Sequence, residues 1–209
     1  MLDNQNSEQL PENKEVDSQK GSKKSSCMGF IIDTVETILL ALILFLGINA
    51  VSARVRVENV SMEPTLWQGE FLLVNRVAYK IGTPKIGDII IFHAPGVEDL
   101  DYIKRLIGRP GDTVHIEGGV VYVNGQALYE TYIAEPTGYS GTWEVPEGQF
   151  FVLGDNRNNS SDSHLWGFIS EDSVVGKALL IYWPLDAVSL LTPSIFPAGP
   201  PLSLSACRP

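Results

Sequence analysis

Apolar and polar positions divide the chain into four segments. Residues 1 to about 26 are polar and contain no aromatic residue, so they cannot bury enough apolar surface to offset the entropy of ordering them. Most residues from Phe30 to Val51 are apolar, and from Ala53 onward short apolar runs alternate with glycine, proline and polar turns. The pattern predicts a disordered tail over 1–28, an apolar helix over 29–52, a folded region over 53–193 and an irregular tail over 194–209.

The segment from Phe30 to Val51 has the length of a membrane-spanning helix. At about 1.5 Å per residue, its roughly 22 residues extend about 33 Å, which is enough to cross one bilayer. Asp33 and Glu36 interrupt its first half. Acidic side chains are tolerated near a helix N-terminus and close to lipid headgroups, so we expect a membrane anchor.

A cleaved secretory signal peptide is the alternative for this segment. Such a peptide needs basic residues before the apolar run and small residues after it, and the chain has both: Lys20, Lys23 and Lys24, and then Ala50–Ala53. The long preceding tail and the two acidic residues favour an uncleaved anchor. Arginines at 54 and 56 offset the three lysines, so charge specifies the orientation only weakly.

The region after Ala53 reads as mainly β. The predicted strands cover 53–58, 71–77, 88–92, 120–125, 149–153 and 178–183, and each is short and bounded by Gly, Pro or polar residues. Asn124-Gly125 is the pair that favours a two-residue hairpin turn. With no helical period outside the anchor, the pattern indicates antiparallel sheets in a sandwich or a partly open barrel.

Composition excludes several classes of function. The formal net charge is −10, which argues against nucleic acid because phosphate binding needs clustered Lys and Arg. Two cysteines without CxxC spacing and three scattered histidines make a metal site unexpected. Nothing in the sequence calls for a cofactor.

Two stretches combine a candidate nucleophile with a candidate base. Ser61 follows the first predicted strand, and Pro64 fixes the backbone just after it. A serine hydroxyl needs a neighbouring base, and a lysine can serve if burial lowers its pKa. Lys104 and Arg105 point to opposite faces of a strand, so we expect one of the two to point inward.

Three motifs together resemble those of type I signal peptidases, membrane-anchored serine–lysine proteases that cut leader peptides from exported proteins. The motifs are Asn59-Val60-Ser61-Met62-Glu63-Pro64-Thr65-Leu66, Tyr102-Ile103-Lys104-Arg105 and Gly154–Ser163. The resemblance implies that Ser61 is the nucleophile, Lys104 the general base and Ser160 the residue that orients the lysine. It also implies a supporting charge network, with Arg105 paired to Asp155: Arg105, Asp155, Arg157 and Asp162.

The resemblance carries further expectations about substrate and topology. The substrates would be secretory preproteins, cleaved through an acyl-enzyme after small residues at positions −1 and −3. Candidate pocket residues by alignment are Val57, Met62, Leu66 and Ile103. The N-terminus would be cytoplasmic and the peptidase domain would lie on the outer face of the membrane.

Two positions depart from the family pattern. Asn59 stands where the family commonly has a hydroxyl that completes the oxyanion hole, and its amide can donate in the same way. His164 stands where some members have arginine, which leaves the partner of Asp162 open.

Two other functions remain as alternatives. Asp162 and His164 also allow a Ser–His–Asp triad with Ser61, but residues two apart on an extended chain make an Asp-to-His relay awkward. A tethered β-domain that binds peptides without cutting them would need no paired Ser and Lys.

Overall fold

The computed structural model describes residues 23–96, 100–192 and 195–197. The predicted tails lie mostly outside these residues. Within them, however, a helix already begins at Lys23 and a short strand covers Ile195–Pro197, where a disordered and an irregular tail were expected. Helix α1 is continuous over Lys23–Val51, and its part Met28–Val51 is long and apolar enough to cross a membrane, a property that a signal sequence shares. Hydroxyl groups along it donate to carbonyls one turn earlier, from Thr34, Thr37 and Ser52, so they find partners within the segment.

Thirteen strands are described. They are β1 Ser52–Arg56, β2 Phe71–Asn75, β3 Ile89–His93, β4 Asp101–Gly108, β5 Thr113–Glu117, β6 Val120–Val123, β7 Gln126–Glu130, β8 Gly141–Glu144, β9 Gln149–Leu153, β10 Ile169–Ser170, β11 Val174–Trp183, β12 Ser189–Leu190 and β13 Ile195–Pro197. Two short helices, α2 Ala78–Ile81 and α3 Ser163–Trp166, and three 3₁₀ turns at Arg157–Asn159, Glu171–Ser173 and Leu185–Ala187 connect them.

The strands form two antiparallel sheets. The larger has the order β1-β2-β11-β3-β4-β9-β10, with β12 beside β11, and the smaller has the order β13-β7-β6-β5-β8. Residues of β1 and β4 line one cleft although three strands separate them in the sheet. The larger sheet is therefore curled, and the predicted mainly-β class with a partly open barrel is confirmed.

Alternation and turn chemistry explain these elements. In β2, Leu72 and Val74 are buried, whereas the residues between them are half-buried. In the β6–β7 hairpin, Asn124 and Gly125 both have positive φ, 52° and 78°, as the predicted two-residue turn requires. The predicted strand at 149–153 matches β9, while the short helices were not predicted.

Buried apolar side chains form the core beneath the loop that carries Ser61. Strands β2, β3 and β11 contribute to this cluster, and so does the loop itself. Its buried members are Val57, Met62, Leu66, Leu72, Val74, Ile89, Ile91, Ala178 and Ile181. A second cluster joins β4 and β9 to the smaller sheet, which ties both sides of the Lys104 strand to the fold.

Candidate active site

Ser61 lies on a loop that is held at both ends. The Val57 amide donates to the Glu70 carbonyl and the Gly69 amide donates to the Val57 carbonyl, each at 2.8 Å. Within the loop, Met62 and Leu66 are buried in the core, and the Leu66 amide donates to the Met62 carbonyl at 2.9 Å. Two apolar anchors therefore fix the backbone beside the half-buried serine.

Lys104 lies opposite this loop, in the middle of β4. Its Nζ donates to Ser61 Oγ at 2.6 Å, and the residue is only 4% exposed. Burial lowers the pKa of Lys104 to about 8, although the charges of Asp162 and Asp155 act in the opposite direction. An amine with this pKa has an appreciable neutral fraction near physiological pH, whereas an ordinary lysine has almost none, and a general base must be neutral.

Both basic residues of β4 are buried, which corrects the expectation that only one points inward. Arg105 is 1% exposed, since the sheet is covered on both faces at this point. Its guanidinium binds Asp155 through Nε at 2.7 Å and Nη2 at 2.6 Å, and it lies over the Tyr132 ring at 3.8 Å. Thr65 from the serine loop donates to Asp155 at 2.5 Å, so this pair links β4 to that loop.

Gly154 brings the third motif against the nucleophile loop. A Cβ at this position would collide with the Ser61 carbonyl oxygen and with Ser160 Oγ, so only glycine permits the approach. The Asn156 amide donates to the same Ser61 carbonyl at 3.0 Å, and its side-chain amide donates to the Val60 carbonyl at 3.1 Å. The Gly154–Ser163 segment therefore holds the backbone of the nucleophile.

Ser160 lies against Gly154, where the Gly154–Ser163 segment meets the loop that carries Ser61. Its hydroxyl is buried and has no hydrogen-bond partner among the described residues, so the contact with Lys104 that the resemblance implied is not made here. A buried hydroxyl without a partner costs free energy. The Ser160 hydroxyl therefore has unused hydrogen-bonding capacity at this position.

Arg157 anchors the Gly154–Ser163 segment to the smaller sheet. Its Nη1 donates to Glu130 at 2.9 Å and to Thr137 at 3.1 Å, and its Nη2 also bonds Glu130. Its Nε donates to the Gly154 carbonyl at 3.1 Å. Glu130, the last residue of β7, is thus the carboxylate partner of Arg157.

Asp162 receives hydrogen bonds on both carboxylate oxygens. Its Oδ2 accepts from the Gly154 amide at 2.9 Å, while its Oδ1 lies 2.6 Å from His164 Nδ1. His164 is therefore the partner that the sequence left open. The two side chains meet because Asp162 is the N-cap of α3 rather than part of an extended strand, so the geometric objection to an Asp–His contact was wrong.

A cleft with a volume of about 560 Å³ opens beside Ser61. One wall comes from residues 55–62 and the other from residues 100–104. Asn59 lines the cleft, and so do three of the four candidate pocket residues, Val57, Met62 and Ile103. Leu66, which is buried in the core cluster, is not among the lining residues.

Known proteins match most of the chain. The family model for signal peptidase, peptidase S26, matches residues 31–183. A probable signal peptidase I-1 from Synechocystis is 44% identical over 164 residues, covering 74% of this chain and 84% of the relative. The signal peptidase I of Leptolyngbya laminosa is 40% identical over 78% of this chain and 85% of its own length. Signal peptidase I T of Bacillus subtilis is 35% identical over 85% and 97%.

The chain belongs to the signal peptidase I family. It is a serine-type endopeptidase that acts on the signal peptides of preproteins, and its apolar helix is consistent with a single-pass membrane anchor. Membership also removes the non-cutting peptide-binding domain as an alternative. The Ser–His–Asp triad loses its basis as well, because Ser61 Oγ bonds Lys104 and, among the described residues, no hydrogen bond joins it to His164.

Two residues of this signal peptidase site have no recognisable signal in the sequence. Glu130 and Tyr132 come from β7 and the turn after it, about 25 residues before Arg157, and no local pattern links such distant positions. Gly154 offered a weak signal, since a glycine between an apolar strand and a polar run often marks a close backbone approach.

Proposed function

We propose that Ser61 and Lys104 form the catalytic dyad of this signal peptidase. The observation that carries the proposal is the 2.6 Å contact between Lys104 Nζ and Ser61 Oγ, made by a lysine that burial has brought to a pKa of about 8. A nucleophile within hydrogen-bond reach of a base is the arrangement that covalent catalysis requires.

In the proposed reaction, Ser61 Oγ attacks the carbonyl carbon before the scissile bond as its proton passes to Lys104 Nζ. The C–N bond then breaks, and the Lys104 ammonium gives that proton to the leaving amine. Water attacks the resulting ester, with Lys104 again taking the proton. The acid product leaves and Ser61 regains its hydroxyl hydrogen.

The residues around the dyad orient its parts. The Ser61 amide and the Asn59 side chain donate to the developing oxyanion, and the Ser160 hydroxyl turns toward Lys104. The charged residues Arg105, Asp155, Arg157 and Asp162 hold the Gly154–Ser163 segment against the loop that carries Ser61. Arg105 joins Asp155 to β4, and Arg157 bonds Glu130 of β7.

The substrate lies extended in the cleft between β1 and β4. The outer edge of β1 carries backbone groups that an extended peptide can pair with. Val57, Met62 and Ile103 contribute to the lining of the cleft. Because Val57 and Met62 are almost wholly buried, the apolar surface that they offer is shallow, which suits small side chains at −1 and −3.

The apolar helix is an uncleaved anchor with its N-terminus in the cytoplasm and the peptidase domain on the outer face. A cleavage site at Ala50–Ala53 would cut where α1 passes directly into β1, and Ser52 and Ala53 are paired with Asn75 and Val74 of β2. The family match also begins inside this helix, at residue 31. The domain bounds of 1–28, 29–52, 53–193 and 194–209 go with this proposal.

Cleavage of a model preprotein by the purified full-length protein tests the dyad. Ser61→Ala and Lys104→Ala should each abolish processing while folding is retained. Exposed residues of the same types provide matched controls, and Ser140→Ala and Lys80→Ala should process normally. Processing by Lys104→Ala at the wild-type rate would refute the dyad.

A further inference from the structure

His164 makes a hydrogen bond whose direction the chemistry of the carboxylate fixes. Its Nδ1 lies 2.6 Å from Asp162 Oδ1. An ionised carboxylate oxygen can only accept, so Nδ1 carries the hydrogen and donates. The Nδ1–H group of His164 therefore satisfies Asp162 Oδ1.

Tyr139 fixes the plane of the His164 ring. The two rings stack with centroids 3.8 Å apart and planes within 10°. The Tyr139 hydroxyl is buried and has no hydrogen-bond partner among the described residues. Tyr139 thus acts on His164 through its ring rather than through its hydroxyl.

Asp162 connects His164 to the reacting groups in two ways. Its Oδ2 accepts from the Gly154 amide at 2.9 Å, and Gly154 lies against the Ser61 carbonyl and the Ser160 hydroxyl. Its negative charge also acts on Lys104 and favours the protonated amine. The orientation of Asp162 therefore affects the backbone beside Ser61, and its charge affects the pKa of Lys104.

We propose that His164 is a positioning residue of the signal peptidase site, which holds the Asp162 carboxylate against the Gly154 amide. The inference rests on the proposed role of Lys104. Among the described residues, Asp162 and Tyr139 contact the His164 ring. Arg157 and Glu130 act electrostatically on Tyr139, and Asp155 acts with Asp162 on Lys104.

The proposal has a consequence for pH dependence with a definite sign. An arginine at position 164 can make the same hydrogen bond, but it places a permanent positive charge beside Asp162. That charge offsets the attraction of Asp162 for the Lys104 ammonium, so the pKa of Lys104 should fall. The pH at which activity rises should therefore be lower in His164→Arg than in the wild type.

The test uses the purified full-length protein, a model preprotein, and kcat and KM measured from about pH 6 to about pH 10. His164→Ala should lower kcat about tenfold with KM nearly unchanged, because the dyad is misaligned rather than the substrate. His164→Arg should keep most of kcat and move the rise in activity down by up to about one pH unit.

Two variants of Tyr139 separate the ring from the hydroxyl. Tyr139→Phe keeps the stacking ring and should behave as the wild type, whereas Tyr139→Leu should change kcat in the same direction as His164→Ala. His115→Ala is the control, since His115 lies on β5 of the smaller sheet and bonds Thr142; it should leave the pH profile unchanged.

Two results would overturn the inference. One is a His164→Ala protein with a lower melting temperature but wild-type kcat per folded molecule. The other is a His164→Arg protein whose pH profile matches the wild type, which decides the matter even if the alanine variant does not fold. Lys104→Ala is measured alongside. Turnover by that variant would refute the proposed dyad. If Lys104→Ala is inactive but the His164 variants have the wild-type pH profile of kcat, only the present inference is refuted.

Discussion

Lys104 can take a proton from Ser61 only after it has lost its own. In water a lysine ammonium is stable well above neutral pH, and the fold lowers its pKa to about 8 mainly by excluding water. Each pKa unit corresponds to about 1.4 kcal/mol, so the net effect is about 3 kcal/mol against the charged form. The 4% exposure of this residue is thus part of the chemistry.

The activity of this signal peptidase should therefore rise with pH through about 8. Below that pH Lys104 is protonated and cannot act as a base, and above it the amine is neutral. Lys104→Arg should be inactive across the range, because a guanidinium does not lose its proton in proteins. A plot of kcat/KM against pH checks both statements, and a flat profile between about pH 6 and about pH 9 would contradict them.

Asn59 should supply the second donor to the oxyanion. It is exposed and lines the same cleft as Ser61, so its amide can turn toward a bound carbonyl. Asn59→Ala should lower kcat about 10²-fold with little change in KM. Asn59→Ser should keep much of the activity, and Asn59→Asp should be worst because it places a negative charge beside the developing one. Wild-type kcat in the alanine variant would mean that backbone donors alone form the hole.

At the scale of elements, one ion pair holds β4 to the Gly154–Ser163 segment. Arg105 and Asp155 are 2% and 0% exposed at their side chains and bond through two nitrogens. Removing one member of a buried pair leaves a buried charge without its partner, which typically costs 3–5 kcal/mol. Replacing both members removes that penalty.

Arg105→Met and Asp155→Asn should each lower the free energy of unfolding by about 3–5 kcal/mol, and the double variant should lose less than the two single losses combined. Denaturant unfolding of the full-length protein in detergent measures all three. Arg109→Met is the control, since Arg109 is half-exposed and lies 3.5 Å from Asp112, and should cost no more than about 1 kcal/mol. Additive losses would show that the buried pair is not coupled.

Elements with a strong local pattern were predictable, and contacts between distant elements were not. The apolar run in 71–77 and the Asn124-Gly125 pair are local signals, so β2 and the β6–β7 hairpin follow from the sequence. The burial of both Lys104 and Arg105 depends on what covers each face of the sheet. The role of Glu130 depends on a contact across 27 residues with Arg157.

The candidate site was predictable in part because its motifs resemble a known family. Ser61 and Lys104 are 43 residues apart in the chain, and no rule of periodicity joins them. The absence of Leu66 from the cleft lining depends on the direction of its side chain after Pro64, because that side chain packs in the core cluster. The contact of Asp162 with His164 depends on the start of a four-residue helix, too short to predict.

At the scale of the whole molecule, the anchor and the peptidase domain have opposite solvent requirements. Helix α1 exposes large apolar side chains from Met28 to Val51, which only a bilayer or another protein can cover. The strands of the domain after it pair in two sheets, and the domain carries the cleft beside Ser61. A helix of this kind is consistent with a single-pass membrane anchor for a folded domain that remains in water.

Controlled proteolysis of membrane vesicles tests the proposed orientation. Protease added to the cytoplasmic face should remove only the first 25 or so residues, because the polar tail has few apolar side chains to protect it and the helix is shielded by lipid. Protease on the outer face should spare that tail and leave the folded domain resistant except at exposed loops. A tag at the N-terminus and an antibody to the domain distinguish the two products. Loss of the domain after cytoplasmic digestion of sealed vesicles would reverse the orientation, and a mature chain that begins near Ala53 would mean that the helix is a cleaved signal instead.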